Sequence, residues 1–355
     1  MFKKTDPNPQ LDIFTAPSMQ LGSRASKKYS DPNAWHNQFY SLVTTKIDEE
    51  IFKPLFPEGK KSGRPNASIR ILVAMSVLKE GFGCSDEDLF EKCEFDLLTR
   101  KALGMELLTD VTPSIDTYYL FRRRICEYQE RTGIDLMQLC FEQLAGKHVH
   151  LLKISGKCVR MDSKLIGSNI ARQSRYELIH TTLVKFLKTC TLTHLSPEQE
   201  ERAKEYLKED SSKTVYRSDS DTLQSNLARI GNFIMEMLAV FPATSPAHDL
   251  LLRLFEEQYV VMDGKAVLRD KKEVKADSLQ NPNDPDATYR AKNDQKVQGY
   301  VTNITETVEE GKPNIITSVQ VETAVFADCH FLQEAVENSE RVTDSTIEDL
   351  YADGN

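Results

Sequence analysis

The sequence lacks any apolar run near the ~20 residues that a membrane-spanning helix needs. Its first residues, MFKKTDPNPQLDIF, also lack the continuous apolar stretch of a secretion signal. These absences predict a cytoplasmic protein without a membrane partner. The chain has 355 residues and 40% hydrophobic content, which is enough for two domains with sizeable cores.

Paired cysteines are absent as well. The seven cysteines are scattered and odd in number, and no two of them form a C-x-x-C pair. This spacing argues against both a disulfide framework and a thiolate zinc site. We therefore expect all seven to be buried small hydrophobic residues.

The chain has no excess of positive charge, since its formal net charge is −9. Residues 1–150 hold 20 Lys and Arg against 21 Asp and Glu, so most of the negative charge lies in 151–355. A local basic surface matters more for binding nucleic acid than the global sum does. The composition thus leaves a DNA partner open.

The first half of the chain predicts an arm followed by a helical domain. Residues 1–60 are rich in Pro, Asn, Lys and Ser, with one short apolar patch from Trp35 to Val43, and predict an arm with one helix. Residues 61–150 predict a helical domain of four helices. The first is predicted to start at Asn66 and to end at Gly81 and Gly83, and the second to run from the Ser85–Asp88 capping box to Gly104. The third is predicted to run from Thr112–Pro113 to Gly133, and the segment IDLMQLCFEQLAG forms the fourth.

Residues 151–355 predict a mixed sheet interrupted by helices. KISGKCVRMDSKLIGS places Val159 and Met161 on one strand face and Asp162 at the centre of the other. A helical insertion follows at about 175–260. KVQGYVTNITETV and NIITSVQVETAV then predict a hairpin with a five-residue loop, a short helix capped by Asp328 follows, and DLYAD closes as a strand. The fold class is α+β or α/β.

Two carboxylates stand out by position, Asp162 on the first strand and Asp353 at the end of the last. Carboxylates are hard oxygen ligands for Mg²⁺ or Mn²⁺, and two of them can hold a metal pair that acts in phosphoryl transfer. Alone, the two positions are also compatible with solvated strand ends. Asp263 in YVVMDGKAVLR is an alternative to Asp162 as the acid of the first strand, although Asp-Gly-Lys favours a hairpin turn. Asp284 lies in NPNDPDATYR, a segment that favours local turn bonds.

Four segments resemble bacterial insertion-sequence transposases of the DDE type with an InsH-like N-terminal domain. GRPNASIRILVAMSVLKEGFGCSDEDLFEKCEFDLLTRKALGM resembles their helical domain, and VRMDSKLIGSNIAR resembles their first catalytic strand. SLQNPNDPDATYRAKNDQKVQGYVTNITETV resembles the segment that re-enters the sheet, and DLYADGN resembles the strand with the second aspartate. The segments occur in the right order over about residues 30–355.

The resemblance implies a ribonuclease-H-like catalytic domain in which Asp, Asp and Glu bind two Mg²⁺ or Mn²⁺ ions. Asp162 would be the first acid and Asp353 the second. It also implies DNA cleavage and transfer of the freed 3′ hydroxyl, with double-stranded DNA as partner, a homo-oligomer when active, a nucleoid-associated location and no small-molecule substrate.

The third acid that the resemblance implies, a glutamate on a helix after the second aspartate, has no counterpart before Asn355. We therefore expect an incomplete site and an exposed sheet face in this chain, which would be a fragment or a truncated copy. Two alternatives stay open: a metal-dependent nuclease of the same fold, and a catalytically inactive DNA-binding or regulatory fragment.

Several basic residues are candidates for DNA contacts because cations supply most sequence-independent affinity for DNA. A solvated helix face or a solubilising surface would explain them equally well. The candidates are Lys60, Lys61, Arg64, Arg122, Arg123, Arg124, Lys164, Lys292 and Lys296.

Overall fold

A computed structural model describes residues 2–5, 16–56, 66–241, 245–292 and 295–352. The chain divides into two compact units. Unit 1 comprises Met1–Arg160, Glu306–Ser318 and Val336–Tyr351. Unit 2 comprises Met161–Thr305, Val319–Ala335 and Ala352–Asn355.

Three short helices open the chain: α1 (Pro17–Gln20), α2 (Ser23–Tyr29) and α3 (Trp35–Leu42). Two 3-10 segments, Thr44–Lys46 and Glu49–Leu55, follow them. The prediction of one helix in this part of the chain is therefore wrong. Helices of one or two turns are too short to show an apolar period, and buried anchors such as Tyr29 and Phe52 hold these elements instead.

Five further helices follow in unit 1: α4 (Ile69–Phe82), α5 (Asp86–Phe95), α6 (Leu97–Leu103), α7 (Ile115–Thr132) and α8 (Leu136–Leu152). The predicted ends at Gly83, Gly104 and Gly133 are confirmed, because each of these glycines has a positive φ after the last helical turn. The capping box of Ser85 and Asp88 is confirmed too.

Two predicted helix starts and the extent of one predicted helix need correction. Ser68, not Asn66, caps α4 by accepting the N–H of Ile71, and Ser114 rather than the Thr112–Pro113 pair caps α7. Asp96 splits the predicted second helix, because its carboxylate accepts the N–H groups of Leu98 and Thr99 and so starts α6. Short polar side chains compete for these caps, and the backbone geometry decides between them.

The cysteines are only partly buried. Cys93 and Cys140 are buried, but Cys126 and Cys329 are exposed, so the expectation for those two is wrong. Burial raises the pKa of the Cys93 thiol to about 12 and that of Cys140 to about 11. All seven thiols are free.

This difference predicts a labelling pattern. At pH 8 a maleimide should modify Cys126 and Cys329 in the folded protein, whereas Cys93 and Cys140 should react only after unfolding, because the thiolate is the nucleophile and needs access to reagent. Mass spectrometry of the four cysteine-containing peptides measures this. Rapid modification of Cys93 in the native state would contradict its burial.

The insertion of unit 2 is helical, as predicted. It contains α9 (Arg175–Leu187), α10 (Pro197–Lys208), α11 (Ser211–Arg217), α12 (Ser220–Val240) and α13 (Pro246–Gln258). A capping box formed by Ser196 and Gln199 starts α10. A second box, formed by Ser174 and Glu177, starts α9 and was missed by the sequence analysis.

A short hairpin follows these helices, formed by β2 (Tyr259–Met262) and β3 (Lys265–Leu268). Asp263 and Gly264 form its turn with φ values of 49° and 73°. The hairpin-turn interpretation of Asp263 is therefore confirmed. The hairpin is anchored to α12, because the Tyr259 hydroxyl donates to the carbonyl of Leu227 at 2.9 Å.

The five-stranded sheet contains β1 (Cys158–Gly167), β4 (Thr288–Lys292), β5 (Gln295–Thr307), β6 (Ile316–Thr323) and β7 (Asp349–Ala352). Its order is β4-β5-β1-β7, and β6 also pairs with β5. A 3-10 segment (Asp328–Phe331) and α14 (Leu332–Thr343) connect β6 to β7. The predicted order of strand, helical insertion, hairpin, helix and strand is confirmed.

Three details of this region differ from the prediction. β4 was missed, and the loop between β5 and β6 spans residues 308–315 rather than five residues. Asp328 is not the cap of the 3-10 segment, whose cap position is Ala327. The Asp328 carboxylate instead accepts from the Arg290 guanidinium at 3.2 Å.

In the part of the chain that the structure describes, no helix combines the length and apolarity needed to cross a membrane.

Candidate functional site

Asp162 lies in the middle of β1 on its exposed side. Burial alternates along the strand, with Val159 fully buried and Arg160, Asp162 and Lys164 exposed. This is the period of two that the sequence predicted. Asp162 has no hydrogen bond or ion pair with any residue that the structure describes, so its carboxylate oxygens are available to a ligand.

The neighbouring strand on one side is β5, which runs antiparallel to β1. The Ser168 N–H donates to the carbonyl of Gln298 at 2.9 Å, and the Val308 N–H donates to Cys158 at 2.9 Å. Both bonds belong to the same register, which places Asp162 opposite Ile304. Ile304 is 40% exposed and Ile166 is 44% exposed. The sheet face of Asp162 is therefore open and partly apolar at these positions.

The neighbouring strand on the other side is β7. The N–H groups of Glu348 and Asp349 both donate to the carbonyl of Lys157, at 2.7 and 3.2 Å. β7 therefore starts beside Lys157, the residue before β1, and its following residues pair with β1. The two strands consequently run in the same direction. Asp353, the predicted second acid, lies outside the described residues.

A hydrogen-bonded cluster that the sequence did not predict lies at the end of β1. The hydroxyls of Ser168 and Tyr300 both donate to the carboxylate of Asp284. Burial, together with this bond, raises the pKa of Tyr300. Asp284 does form the local backbone turn that was predicted, with Asn281, but its side chain ties the loop to β1 and β5. The only sequence signal was the clustered acids and prolines of NPNDPDATYR.

Close packing accompanies this cluster. A Cβ placed on Gly299 would lie 2.2 Å from the carbonyl oxygen of Ile166 and 2.6 Å from the Ser168 nitrogen. Glycine therefore lets β5 approach the end of β1. The Arg172 guanidinium donates to the carbonyl of Lys296 at 2.8 Å, so this end of the strand pair is held from several directions.

A metal-binding cluster is not complete within the described ranges. No three His, Cys, Asp or Glu side chains in them lie together in a way that could hold a metal ion. Asp162 is the predicted ligand that the structure does describe, and its exposed, unpaired carboxylate suits a hard cation.

Residues 28–124 match the model of the family described as Transposase domain (DUF772). No curated protein and no solved structure matches the chain. The match begins in α2 and runs into α7, so it relates this helical part of unit 1 to transposases. It does not reach β1 or the rest of the sheet.

The predicted arginine cluster lies within the transposase-domain match, and its charges are largely engaged. Arg122 is 3.7 Å from Asp86, Arg123 is 3.6 Å from Glu127, and Arg124 stacks over the ring of Phe56 at 5.7 Å. The three side chains point to different neighbours, as expected for consecutive positions on a helix. They do not form one basic surface.

Of the other basic candidates for DNA contacts, the structure describes the side chains of two. Lys164 is exposed two residues beyond Asp162 on the same strand face, and Lys296 is exposed near the start of β5. Lys292 ends β4, and its side chain lies outside the described part of the structure. Lys60, Lys61 and Arg64 also lie outside the described residues.

Proposed function

We propose that this protein is a DNA transposase of the DDE type, in which a ribonuclease-H-like sheet cleaves and joins DNA strands. Two observations support the proposal. Residues 28–124 match a transposase domain. The strand that carries Asp162 lies beside β7, the strand after which Asp353 follows. The second observation carries the proposal, because two acids 191 positions apart can share a metal pair only if the fold makes their strands neighbours.

The pairing of β1 with β7 supports this assignment further. The Asp349 N–H donates to Lys157, and the two strands run in the same direction. Asp353 follows Asp349 by four residues, and Asp162 follows Cys158, the first residue of β1, by four residues as well. We therefore propose Asp353 as the second carboxylate.

Asp162 and Asp353 would hold Mg²⁺ or Mn²⁺. When bound, such ions lower the pKa of water and stabilise negative charge on phosphate oxygens. Asp162 supplies an exposed carboxylate from the centre of a strand. Lys164, on the same face, would contact a DNA phosphate as a point charge. The proposed partner is double-stranded DNA, and the proposed active form is a homo-oligomer.

Iron-dependent cleavage of the protein backbone tests the metal site in the 355-residue chain. Fe²⁺ that replaces Mg²⁺ generates hydroxyl radicals in the presence of ascorbate and peroxide, and these cut the chain near its ligands. We expect cuts close to residues 162 and 353, suppressed by excess Mg²⁺, because carboxylates prefer hard divalent cations. Mass spectrometry of the fragments locates the cuts.

The matched variants are Asp162→Asn and Asp263→Asn. The first should abolish the cuts near 162, whereas the second, which changes an exposed turn aspartate in the same way, should leave them unchanged. Cuts that persist in Asp162→Asn would refute the metal role of Asp162. A protein that cuts DNA but never joins a supplied 3′ hydroxyl end would be a nuclease instead.

A further inference from the structure

The first cationic surface of the chain lies on α2. Arg24, Lys27 and Lys28 are all exposed. At 100° per residue the three side chains cover an arc of about 100° on one side of the helix. Residues 16–30 contain no Asp or Glu. The arc is therefore uniformly positive in a chain whose net charge is −9.

The opposite side of α2 is anchored to unit 1. Tyr29 is 5% exposed, and its backbone carbonyl accepts from the side chain of Asn37 and lies 2.8 Å from Nε2 of His36. The Ser26 hydroxyl donates to the carbonyl of Ser18 at 3.1 Å. These contacts fix the rotation of the helix about its axis. Because the opposite side of α2 is held by these contacts, the cationic arc faces solvent.

The three cations have no acidic partner among the described residues, unlike several other exposed cations of unit 1. Lys4 and Lys53 pair with Glu50, and Lys79 pairs with Asp86. Arg122 and Arg123 also have acidic partners. No ion pair joins Arg24, Lys27 or Lys28 to a described residue. Asp31, the nearest acid along the chain, accepts the N–H of Asn33.

Free cations bind phosphate at lower cost than paired ones do. A cation in an ion pair must give up its partner before it neutralises a phosphate, whereas an unpaired one only releases the counterions of the DNA. Arg24 and Lys28 are one turn apart, about 6 Å along the axis, so their long side chains can reach successive phosphates of one strand. The charge and the spacing both suit duplex DNA.

We propose that the α2 arc of Arg24, Lys27 and Lys28 contacts the phosphate backbone of double-stranded DNA. The inference rests on the proposed function for the choice of DNA as the polyanion. It assigns a non-specific DNA contact of unit 1 to cations other than Arg122, Arg123 and Arg124. Phosphate contacts carry no base information, so the arc contributes affinity and not sequence preference.

The test measures binding of the full chain to two unrelated 30-base-pair duplexes as a function of KCl concentration. The variant is Arg24→Gln/Lys27→Gln/Lys28→Gln. The control is Lys53→Gln/Arg122→Gln/Arg123→Gln, which removes the same charge from three exposed but paired cations. Glutamine keeps the helix propensity of the replaced residues, and circular dichroism with thermal unfolding checks that all three proteins are equally folded.

We expect the α2 triple variant to lose about 100-fold in affinity at 0.1 M KCl on both duplexes, and its salt slope to flatten by roughly 2 to 3. The control should lose much less. Equal losses in the two triple variants, with wild-type binding intact, would overturn the role of α2 and leave the proposed function standing. Wild-type protein that binds neither duplex would overturn both.

A different polyanion is the remaining outcome. The same proteins are mixed with vesicles that contain phosphatidylserine. If the α2 triple variant loses vesicle binding but binds DNA as the control does, the arc belongs to a lipid surface and the proposal falls. Loss of DNA binding together with a flattened salt slope supports it.

Discussion

Asp162→Asn is expected to reduce Mg²⁺-dependent DNA cleavage by about 1000-fold, equivalent to roughly 4 kcal/mol of transition-state stabilisation. The amide keeps the size of the carboxylate but removes its charge, so it binds a hard cation poorly. DNA affinity should stay within about two-fold, since most of that affinity comes from cations. The measurement compares cleavage of an end-labelled duplex in Mg²⁺ with binding of the same duplex in Ca²⁺.

The control variant replaces an aspartate that is not expected to contribute to DNA cleavage. Asp263→Asn makes the same chemical change in the exposed turn between β2 and β3, where φ is 49°. Asparagine tolerates this left-handed conformation as well as aspartate does. Its cleavage rate should equal that of the wild type. Retained cleavage in Asp162→Asn, or an equal loss in both variants, would contradict the metal role of Asp162.

Local patterns predicted β1 and several helix ends well because each pattern reflects a local physical cause. Alternation in KISGKCVRMDSKLIGS predicted which side of β1 carries Asp162, and the burial of Val159 agrees. Gly83, Gly104 and Gly133 predicted helix ends, since a positive φ suits glycine. These features depend on residues within one or two turns of each other.

Contacts between distant segments were not predictable in this way. The carboxylate of Asp284 reaches Ser168, which is 116 positions away along the chain. Nothing in NPNDPDATYR distinguishes this from an ordinary turn aspartate, because the partner is chosen by how β5 and β1 pair. The two short helices α1 and α2 were missed for a similar reason: tertiary anchors such as Tyr29 hold them.

Which basic residues have an acidic partner among the described residues could not be predicted from the sequence either. Three consecutive arginines at 122–124 form a run, whereas two neutral residues separate Arg24 from Lys27 and Lys28. Only the fold shows that Asp86 lies beside Arg122, 36 positions earlier in the chain. The availability of a cation depends on its neighbours in space. A run of like charges in the sequence is therefore a weak predictor of a phosphate contact.

Gly299→Ala is expected to destabilise the strand pair of β5 and β1 by about 3 kcal/mol, because overpacking against rigid backbone cannot relax by a side-chain rotation. The new methyl carbon would lie 2.2 Å from the carbonyl oxygen of Ile166 and 2.6 Å from the nitrogen of Ser168. We expect the thermal midpoint to fall by roughly 6 °C or more. Hydrogen exchange in the peptide that covers residues 158–168 should speed up at the same time.

Gly167→Ala provides the matched control, since it adds the same methyl group to β1 one residue from both clash partners. A Cβ at Gly167 would have nothing within 4 Å, and the position is exposed. Its thermal midpoint should therefore change by no more than about 1 °C, consistent with a surface substitution of at most ~0.5 kcal/mol. If Gly299→Ala were as stable as Gly167→Ala, β5 could not approach β1 as closely as the structure shows. The register of β1 and β5 that places Asp162 opposite Ile304 would then be wrong.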